Sequence, residues 1–384
     1  AGAGASADEL VPDWSRAQGA PISGYGQPSP FESGVVRRAR TKPPFPTAAS
    51  TGTPHGALFG LITPSGLHFE RHHGGVPAID PDRHRLLVHG LVDNPLVFTM
   101  DELVRFPAVS RIHFLECSGN TQGWATPDPK WTVQDTHGLL SCSEWTGVKL
   151  STLLDEVGVR PEATWVIAEG ADAAGMTRSL PIGKALDDVI VAYAQNGERL
   201  RPEQGYPVRL FIPGYEGNMS VKWLRRLRLD DKPQQGREET SKYTDLMPDG
   251  RAREFTFLME AKSVITSPSG GAAIGAPGFH EIRGVAWSGQ GRIARVEVSV
   301  DGGASWRDAE LAEPVLSKCL ARFRLPWRWE GGPAALQSRA TDETGYVQPS
   351  RDRLIAARGV NSYYHYNAIQ TWSVAADGEV RNAA

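Results

Sequence analysis

The stretch from residue 111 to 120, RIHFLECSGN, limits what this chain can fold into more than any other. Bulky apolar residues at Val109, Ile112, Phe114 and Leu115 stop abruptly at Cys117-Ser118-Gly119-Asn120. An apolar run that ends in a Gly/Asn cluster is the pattern of a buried strand spilling into a tight turn. It puts one thiol at the carboxyl end of a strand, where a fold can present it to a ligand.

Such a thiol has two readings. It is a small buried apolar group, or a metal ligand once deprotonated. Zinc and iron–sulfur sites take about four ligands, which one cysteine cannot supply. Cys142 and Cys319 stand in no Cys-x-x-Cys pairing. A metal at Cys117 would therefore need ligands from outside the protein, such as a dithiolene cofactor. Three cysteines also exclude a disulfide framework, since at most one pair can form.

At 384 residues the chain suits two or so domains, each large enough for its own core. A net charge of −3 offers no basic field, so nucleic acid is not an expected partner. No stretch approaches the ~20 continuous apolar residues of a membrane span. The start AGAGASADEL lacks Met and reads as a processed chain, explained by a removed export leader or by simple trimming.

Residues 1–55, rich in Ala, Gly, Ser and Pro, read as an extended N-terminal arm. From residue 56 the texture is globular. Strands are expected at 84–92, 164–168, 189–194, 206–212 and 221–229, with Asn196-Gly197 as a turn between two of them. Helices are expected at 99–106 with Thr99 as cap, at 147–158 closed by Gly158, and at 181–188. Strands and short helices without a regular βαβ rhythm make this part α+β. From 258 to 384, short strands at 280–287, 292–300, 305–311, 319–327 and 335–341 predict an immunoglobulin-like β-sandwich, with 267–278 as its lead-in loop.

Three further segments carry chemistry-capable residues. FERHHGGVP (69–77) places Arg71, His72 and His73 in a Gly-containing loop, which fits either an oxyanion bracket or a solvated surface. GYPVRLFIPGYEGNMSVKWL (205–224) brings Arg209, Ser220 and Lys222 near tight turns, as phosphate donors or as hairpin punctuation. Tyr243 is a phenol that either meets a substrate oxygen or packs.

Taken in order, these segments resemble the sulfite oxidase family of molybdenum enzymes. F-x-R-x-H (69–73), E-C-x-G-N (116–120), Asp172, G-Y-P-V-R (205–209), P-G-x-x-G (213–217) and S-V-K-W-L (220–224) match together, and the likeness runs from about residue 58 to the C-terminus. It implies a molybdopterin-binding catalytic domain over 56–257 and an immunoglobulin-like dimerisation domain over 258–384. It implies one pyranopterin molybdenum cofactor with Cys117 as the molybdenum ligand, and no haem in this chain. Phe69, Arg71, His73, Asp172, Arg209, Ser220 and Lys222 match positions that hold the pterin and its phosphate; Gln204, where the family carries His, is counted with them. Arg71 also matches the arginine beside the metal, and Tyr243 the active-site tyrosine.

The departures from the family pattern narrow the reading. Thr121 and Gln122 replace arginines after C-x-G-N, and Met219 replaces an arginine after P-G-x-x-G-x. Loss of cations implies an open, less cationic pocket, suited to a substrate borne on a carrier rather than to a free dianion. Around ECSGNTQGWATP, SKYTDLMPDG and FTFLMEAKSVITSPS the chain is similar to the molybdenum-binding subunits of bacterial sulfane dehydrogenases of the sulfur-oxidising (Sox) system. That likeness implies oxidation of sulfane sulfur on a carrier-protein cysteine during thiosulfate oxidation. It also implies a c-type cytochrome partner, a homodimer within a heterotetramer, and a periplasmic protein exported folded behind a twin-arginine leader. A sulfite dehydrogenase acting on free sulfite with cytochrome c as acceptor is the alternative.

Overall fold

Alternation and β-branching carry the apolar run before Cys117 into a nine-residue strand, Ala108–Glu116, whose last residues Phe114, Leu115 and Glu116 are buried. The computed structural model describes residues 18, 20–40, 47–121 and 124–383. In it this strand pairs antiparallel with Leu140–Lys149, in a register that sets Glu116 against Leu140. Leu140–Lys149 pairs in turn with Ile190–Gln195, which also holds Glu198–Arg199 and Arg209–Phe211 to complete five strands. A second five-stranded sheet runs Leu96–Phe98, Leu86–Gly90, Leu224–Asp230, Trp165–Gly170 and Thr177–Pro181. Only the Leu86–Gly90 and Leu224–Asp230 pair in it is parallel.

Helix Leu150–Val157 buries Leu150, Leu153, Leu154 and Val157, an i, i+3, i+4, i+7 stripe, against Val88, Val191, Leu210 and Leu227. Gly158 closes it at φ +67, as expected. Its start differs from the sequence reading: 147–149 are strand. Gly147 lies so close to the neighbouring strand that a Cβ would sit 2.1 Å from the Val191 carbonyl oxygen. The glycine serves strand packing there, not a helix. Thr99 forms a reciprocal capping box with Glu102, though the helix it opens spans only Met100–Leu103. Asn196-Gly197 takes the expected turn, both at positive φ, but closes onto Glu198–Arg199 rather than onto 206–212.

The C-terminal part is a two-sheet sandwich. One sheet holds Lys262–Ser267, Gly278–Trp287, Ala321–Trp329 and Glu310–Ala312; the other holds Arg307–Asp308, Ile293–Ser299, Ala334–Asp342, Thr371–Val374 and Val380–Asn382. Val264, Trp287, Phe323, Leu336 and Trp372 fill its core, which continues into Phe114, Leu140 and Cys142 of the first sheet. The α+β layout followed by an immunoglobulin-like sandwich agrees with the sequence reading. The lead-in loop does not: Lys262–Ser267 is already a sandwich strand, paired from Lys262↔Trp287 onward.

The expected arm is shorter than 1–55. The chain divides into a unit of residues 1–36 and a unit of 37–384. In the second, Arg38–Ala39 pairs with Ser50–Gly52, and Ser50–Gly52 pairs with Glu70–Arg71. A Pro-rich composition hid these short strands, because two- and three-residue pairings leave no periodicity to read. Among the described residues no helix is long and apolar enough to cross a membrane.

Candidate active site

All ten residues singled out from the sequence line one cavity: Phe69, Arg71, His73, Cys117, Asp172, Gln204, Arg209, Ser220, Lys222 and Tyr243. Six separate chain segments deliver them. Arg71 comes from the edge of the three-stranded sheet, Cys117 from the turn after Ala108–Glu116, and Asp172 from the turn after Trp165–Gly170. Gln204 ends a 3-10 turn, Arg209 opens a strand, and Ser220 and Lys222 follow a second 3-10 turn.

The inner wall is cationic. Arg209 is 2 % exposed; its Nη1 donates to the Gln204 carbonyl (3.0 Å) and its Nη2 to the Ser220 carbonyl (2.9 Å), while the guanidinium lies 4.9 Å over Trp145. Burial pushes it down to about 9. Lys222 Nζ donates to the Arg71 and Glu203 carbonyls (3.1 and 3.0 Å) and meets His72 Nδ1 at 2.7 Å. Burial, and after it the charge of Arg209, holds Lys222 well below the usual lysine range. Among the described residues no carboxylate pairs with either cation within 4.0 Å. A buried guanidinium and a half-buried ammonium side by side, neither in an ion pair among the described residues, call for an anion between them, and a phosphate has the charge and the acceptors. Ser220 Oγ accepts from the Ile212 N–H at 3.0 Å, which leaves its own proton to donate.

Cys117 is anchored through its backbone, N–H to the Leu139 carbonyl (3.0 Å) and carbonyl to the Asn120 N–H (2.8 Å). Burial raises its thiol; the Gly119 N–H and the charges of Arg71 and Arg40 oppose that. Among the described residues no group of three or more His, Cys, Asp or Glu gathers for a bare ion. A metal at Cys117 thus takes its remaining ligands from a cofactor, which the thiol and the phosphate-sized cationic wall fit together.

Tyr243 faces this thiol. Its hydroxyl lies 2.9 Å from His73 Nε2, and its ring packs 5.2 Å from Tyr364. Burial first, then Arg71, lowers His73 to about 4, so the imidazole is neutral. Burial first, then Cys117, raises the Tyr243 phenol, which stays protonated. The pair is a neutral donor–acceptor couple beside the thiol.

A larger cavity of about 820 Å³ shares Arg71, His73, Cys117 and Tyr243 with the first. Arg40, Arg237, Lys242, Tyr363 and Tyr364 add to its wall. The sequence reading expected a less cationic pocket, and here the structure differs. The positions that lost arginine are indeed neutral: Met219 is buried and accepts Arg178 Nε on its sulfur at 3.0 Å, and Thr121 Oγ1 accepts from Lys262 Nζ at 2.7 Å. Gln122 lies outside the described residues. Yet Arg40, Arg71, Arg237 and Lys242 stand on the wall of the larger cavity, with Glu238 paired to Arg237 at 3.2 Å, so the mouth keeps positive charge.

Sequence reasoning missed several supports. Glu116, fully buried, accepts from Asn120 Nδ2 (2.9 Å), Lys262 Nζ (3.0 Å) and Trp287 Nε1 (2.6 Å), tying the Cys117 turn to the sandwich. Glu216, 1 % exposed, holds Arg178 (3.2 Å), Asn218 (2.6 Å) and His365 (3.2 Å), and Arg178 lies 5.3 Å over Tyr243. A charged residue inside an apolar run, as in FLEC, was the one visible signal; its partner 146 positions away was not. Nothing in the sequence marked Arg40, Tyr363 or Tyr364.

Comparison with known proteins gives the lineage. The model for the oxidoreductase molybdopterin binding domain matches residues 73–238, and that for the Mo-co oxidoreductase dimerisation domain matches 253–372. Sulfite oxidase from Gallus gallus is 33% identical over 314 residues, covering 75% of this chain and 68% of the relative. This chain belongs to the sulfite oxidase family of molybdopterin oxidoreductases. Its membership carries the molybdenum cofactor that the thiol and the cationic wall fit. The mitochondrial sulfite oxidase of Drosophila melanogaster is 31% identical over 373 residues, covering 88% of this chain and 64% of that relative. Nitrate reductase [NADH] of Ulva prolifera is 32% identical over 311 residues, 70% of this chain but 34% of that protein. The chain thus spans about a third of the nitrate reductase and about two thirds of the sulfite oxidases. Among solved structures, the sulfane dehydrogenase SoxCD from Paracoccus pantotrophus superposes at a TM-score of 0.95 with 49% identity, covering 99% of this chain and all of that one.

Proposed function

We propose that this family member oxidises sulfane sulfur carried on a protein cysteine and passes the electrons to a c-type cytochrome. Cys117 would ligate the molybdenum, and Lys222, Arg209 and Ser220 would hold the phosphate of the pterin. Bound there, the cofactor supplies oxygen transfer to sulfur and accepts two electrons per oxygen. The other tasks fall to the chain. Arg71 stabilises negative charge on the substrate's oxygen, while Tyr243, held by His73, donates a hydrogen bond to it. Each oxygen drawn from water releases two protons and two electrons, and this chain has no Cys-x-x-Cys-His site for a haem to take them.

The observation that carries this reading is the mouth. A cavity of about 820 Å³ in front of Cys117 exceeds what a small inorganic anion needs and accommodates a substrate group on an extended arm. The likeness to the sulfane dehydrogenase SoxCD supports the same substrate class. We place the enzyme in the periplasm, exported folded behind a twin-arginine leader, as a homodimer through residues 258–384 combined with its cytochrome. Free sulfite is the second reading, favoured by the four cations on the wall.

The test compares both substrates on the purified, molybdenum-loaded protein with a c-type cytochrome acceptor. A persulfide-bearing carrier protein is expected to be turned over with the higher kcat/KM. Efficient oxidation of free sulfite at a micromolar KM, with a slow carrier reaction, would restore the sulfite dehydrogenase reading.

A further inference from the structure

Arg40 has no assigned part in the site, and its surroundings give it one. It follows the strand Arg38–Ala39, and its backbone N–H donates to the Ser50 carbonyl at 2.8 Å. Ser50 is in turn paired with Arg71. The two arginines therefore flank one central strand, at a backbone separation on the order of two strand spacings, about 10 Å. Both side chains reach the wall of the large cavity, together with Cys117 and Tyr243.

The guanidinium of Arg40 is nearly unspent. Nη1 donates to the Gln134 carbonyl at 3.2 Å; among the described residues no other hydrogen bond and no ion pair within 4.0 Å engages its side chain. It differs in this from Arg209, whose donors go to backbone carbonyls, and from Arg178, which pairs with Glu216. The groups whose charges act on it are Cys117, Asp135 and Tyr363, and Asp135 is held by Thr132 in a helix cap. A half-buried guanidinium with free donors facing a cavity is a site short of an anion.

We infer that Arg40 is a substrate-binding residue that seats the terminal oxyanion of the sulfur group opposite Arg71. The inference rests on the sulfur-oxidising reading above. As sulfur gains oxygen, the anionic end of the substrate spreads its charge over several oxygens. One arginine on each side of the seat can hold that end through successive oxygen additions without moving the carrier. The residue comes from a stretch that lies before the family's matching segments, so it sets specificity without altering the cofactor's ligands.

The experiment uses the molybdenum-loaded protein and the variants Arg40→Gln and Arg40→Lys, with inorganic sulfate as probe. Sulfate affinity is measured by calorimetry and as competitive inhibition of carrier turnover. Arg40→Gln is expected to weaken sulfate binding about tenfold or more and to raise KM more than it lowers kcat, with molybdenum content unchanged. Arg40→Lys, which keeps the charge but not the fork, is expected to recover most of the loss. Unaltered sulfate affinity in Arg40→Gln overturns the assignment. So does equal loss in both variants, or a wild-type protein that binds no sulfate. Calorimetry needs no turnover, so a failure of carrier oxidation would count against the proposed reaction and leave the Arg40 result to be read on its own.

Discussion

The strongest test of how the Cys117 turn is supported is Lys262→Met. Lys262 and Glu116 are 2 % and 0 % exposed at their side chains and pair at 3.0 Å. Lys262 also donates to Thr121 Oγ1 at 2.7 Å, within the segment that follows Cys117. Methionine fills about the same volume, so the packing term is small, and what remains is the charge. Removing one partner of a buried pair costs about 3–5 kcal/mol, because the other is left ionised in the interior. Glu116 keeps its bonds from Asn120 and Trp287, which argues for the lower end, about 3 kcal/mol. Guanidinium unfolding followed by tryptophan fluorescence measures the loss, and molybdenum content per chain reports whether the turn still holds its ligand in place. The double variant Lys262→Met with Glu116→Gln should regain roughly half, since the stranded charge is gone. A single-variant loss under about 1 kcal/mol, with full metal content, would refute the reasoning.

Further outcomes follow from the same geometry. His55, His113 and His73 are lowered to about 4, and His68 to about 3, chiefly by burial. The unfolded chain therefore binds more protons between about pH 6.5 and 4, so stability must fall as pH drops through that window, by up to roughly 3 kcal/mol per fully buried histidine; equal unfolding midpoints at pH 7 and pH 5 would contradict this. Tyr243→Phe removes the hydroxyl shared with His73 and should lower kcat on the order of 10²-fold at unchanged molybdenum content; activity within twofold of wild type would assign Tyr243 to packing. Lys222→Met should weaken retention of the phosphorylated pterin about tenfold or more, a charged hydrogen bond being worth ~1.5–3 kcal/mol, as read by pterin fluorescence after denaturation; full retention would remove Lys222 from the phosphate site.

What the sequence disclosed and what it hid divide along physical lines. Cys117 was legible because a strand and its turn are local events, written in neighbouring residues. The ten cavity residues were legible because the family's segments keep their order in the chain, and order survives where distance does not. The pairing of Glu116 with Lys262 was hidden, since a salt bridge between strands of different sheets leaves no mark in either strand. Gly147 misled because a glycine needed for close strand contact reads the same as one that precedes a helix. The three-stranded sheet built from 38–52 and Glu70–Arg71 was hidden by proline-rich composition, and Arg40 with it. Counting lost arginines at 121, 122 and 219 could not register Arg40, which stands on the wall of the mouth but comes from that hidden sheet.

The large cavity's rim draws on three stretches far apart in the chain: Arg40, the 237–243 segment, and Tyr363-Tyr364 from the connection between the sandwich strands Ala334–Asp342 and Thr371–Val374. Of these, only Tyr243 also reaches the inner cavity, whose wall is built mainly from 69–73, 204–209 and 220–222. Lineages that share the wall are thus free to rebuild the rim piece by piece, and exchanging only the C-terminal portion between two relatives would replace one post of the doorframe and leave the hearth as it was.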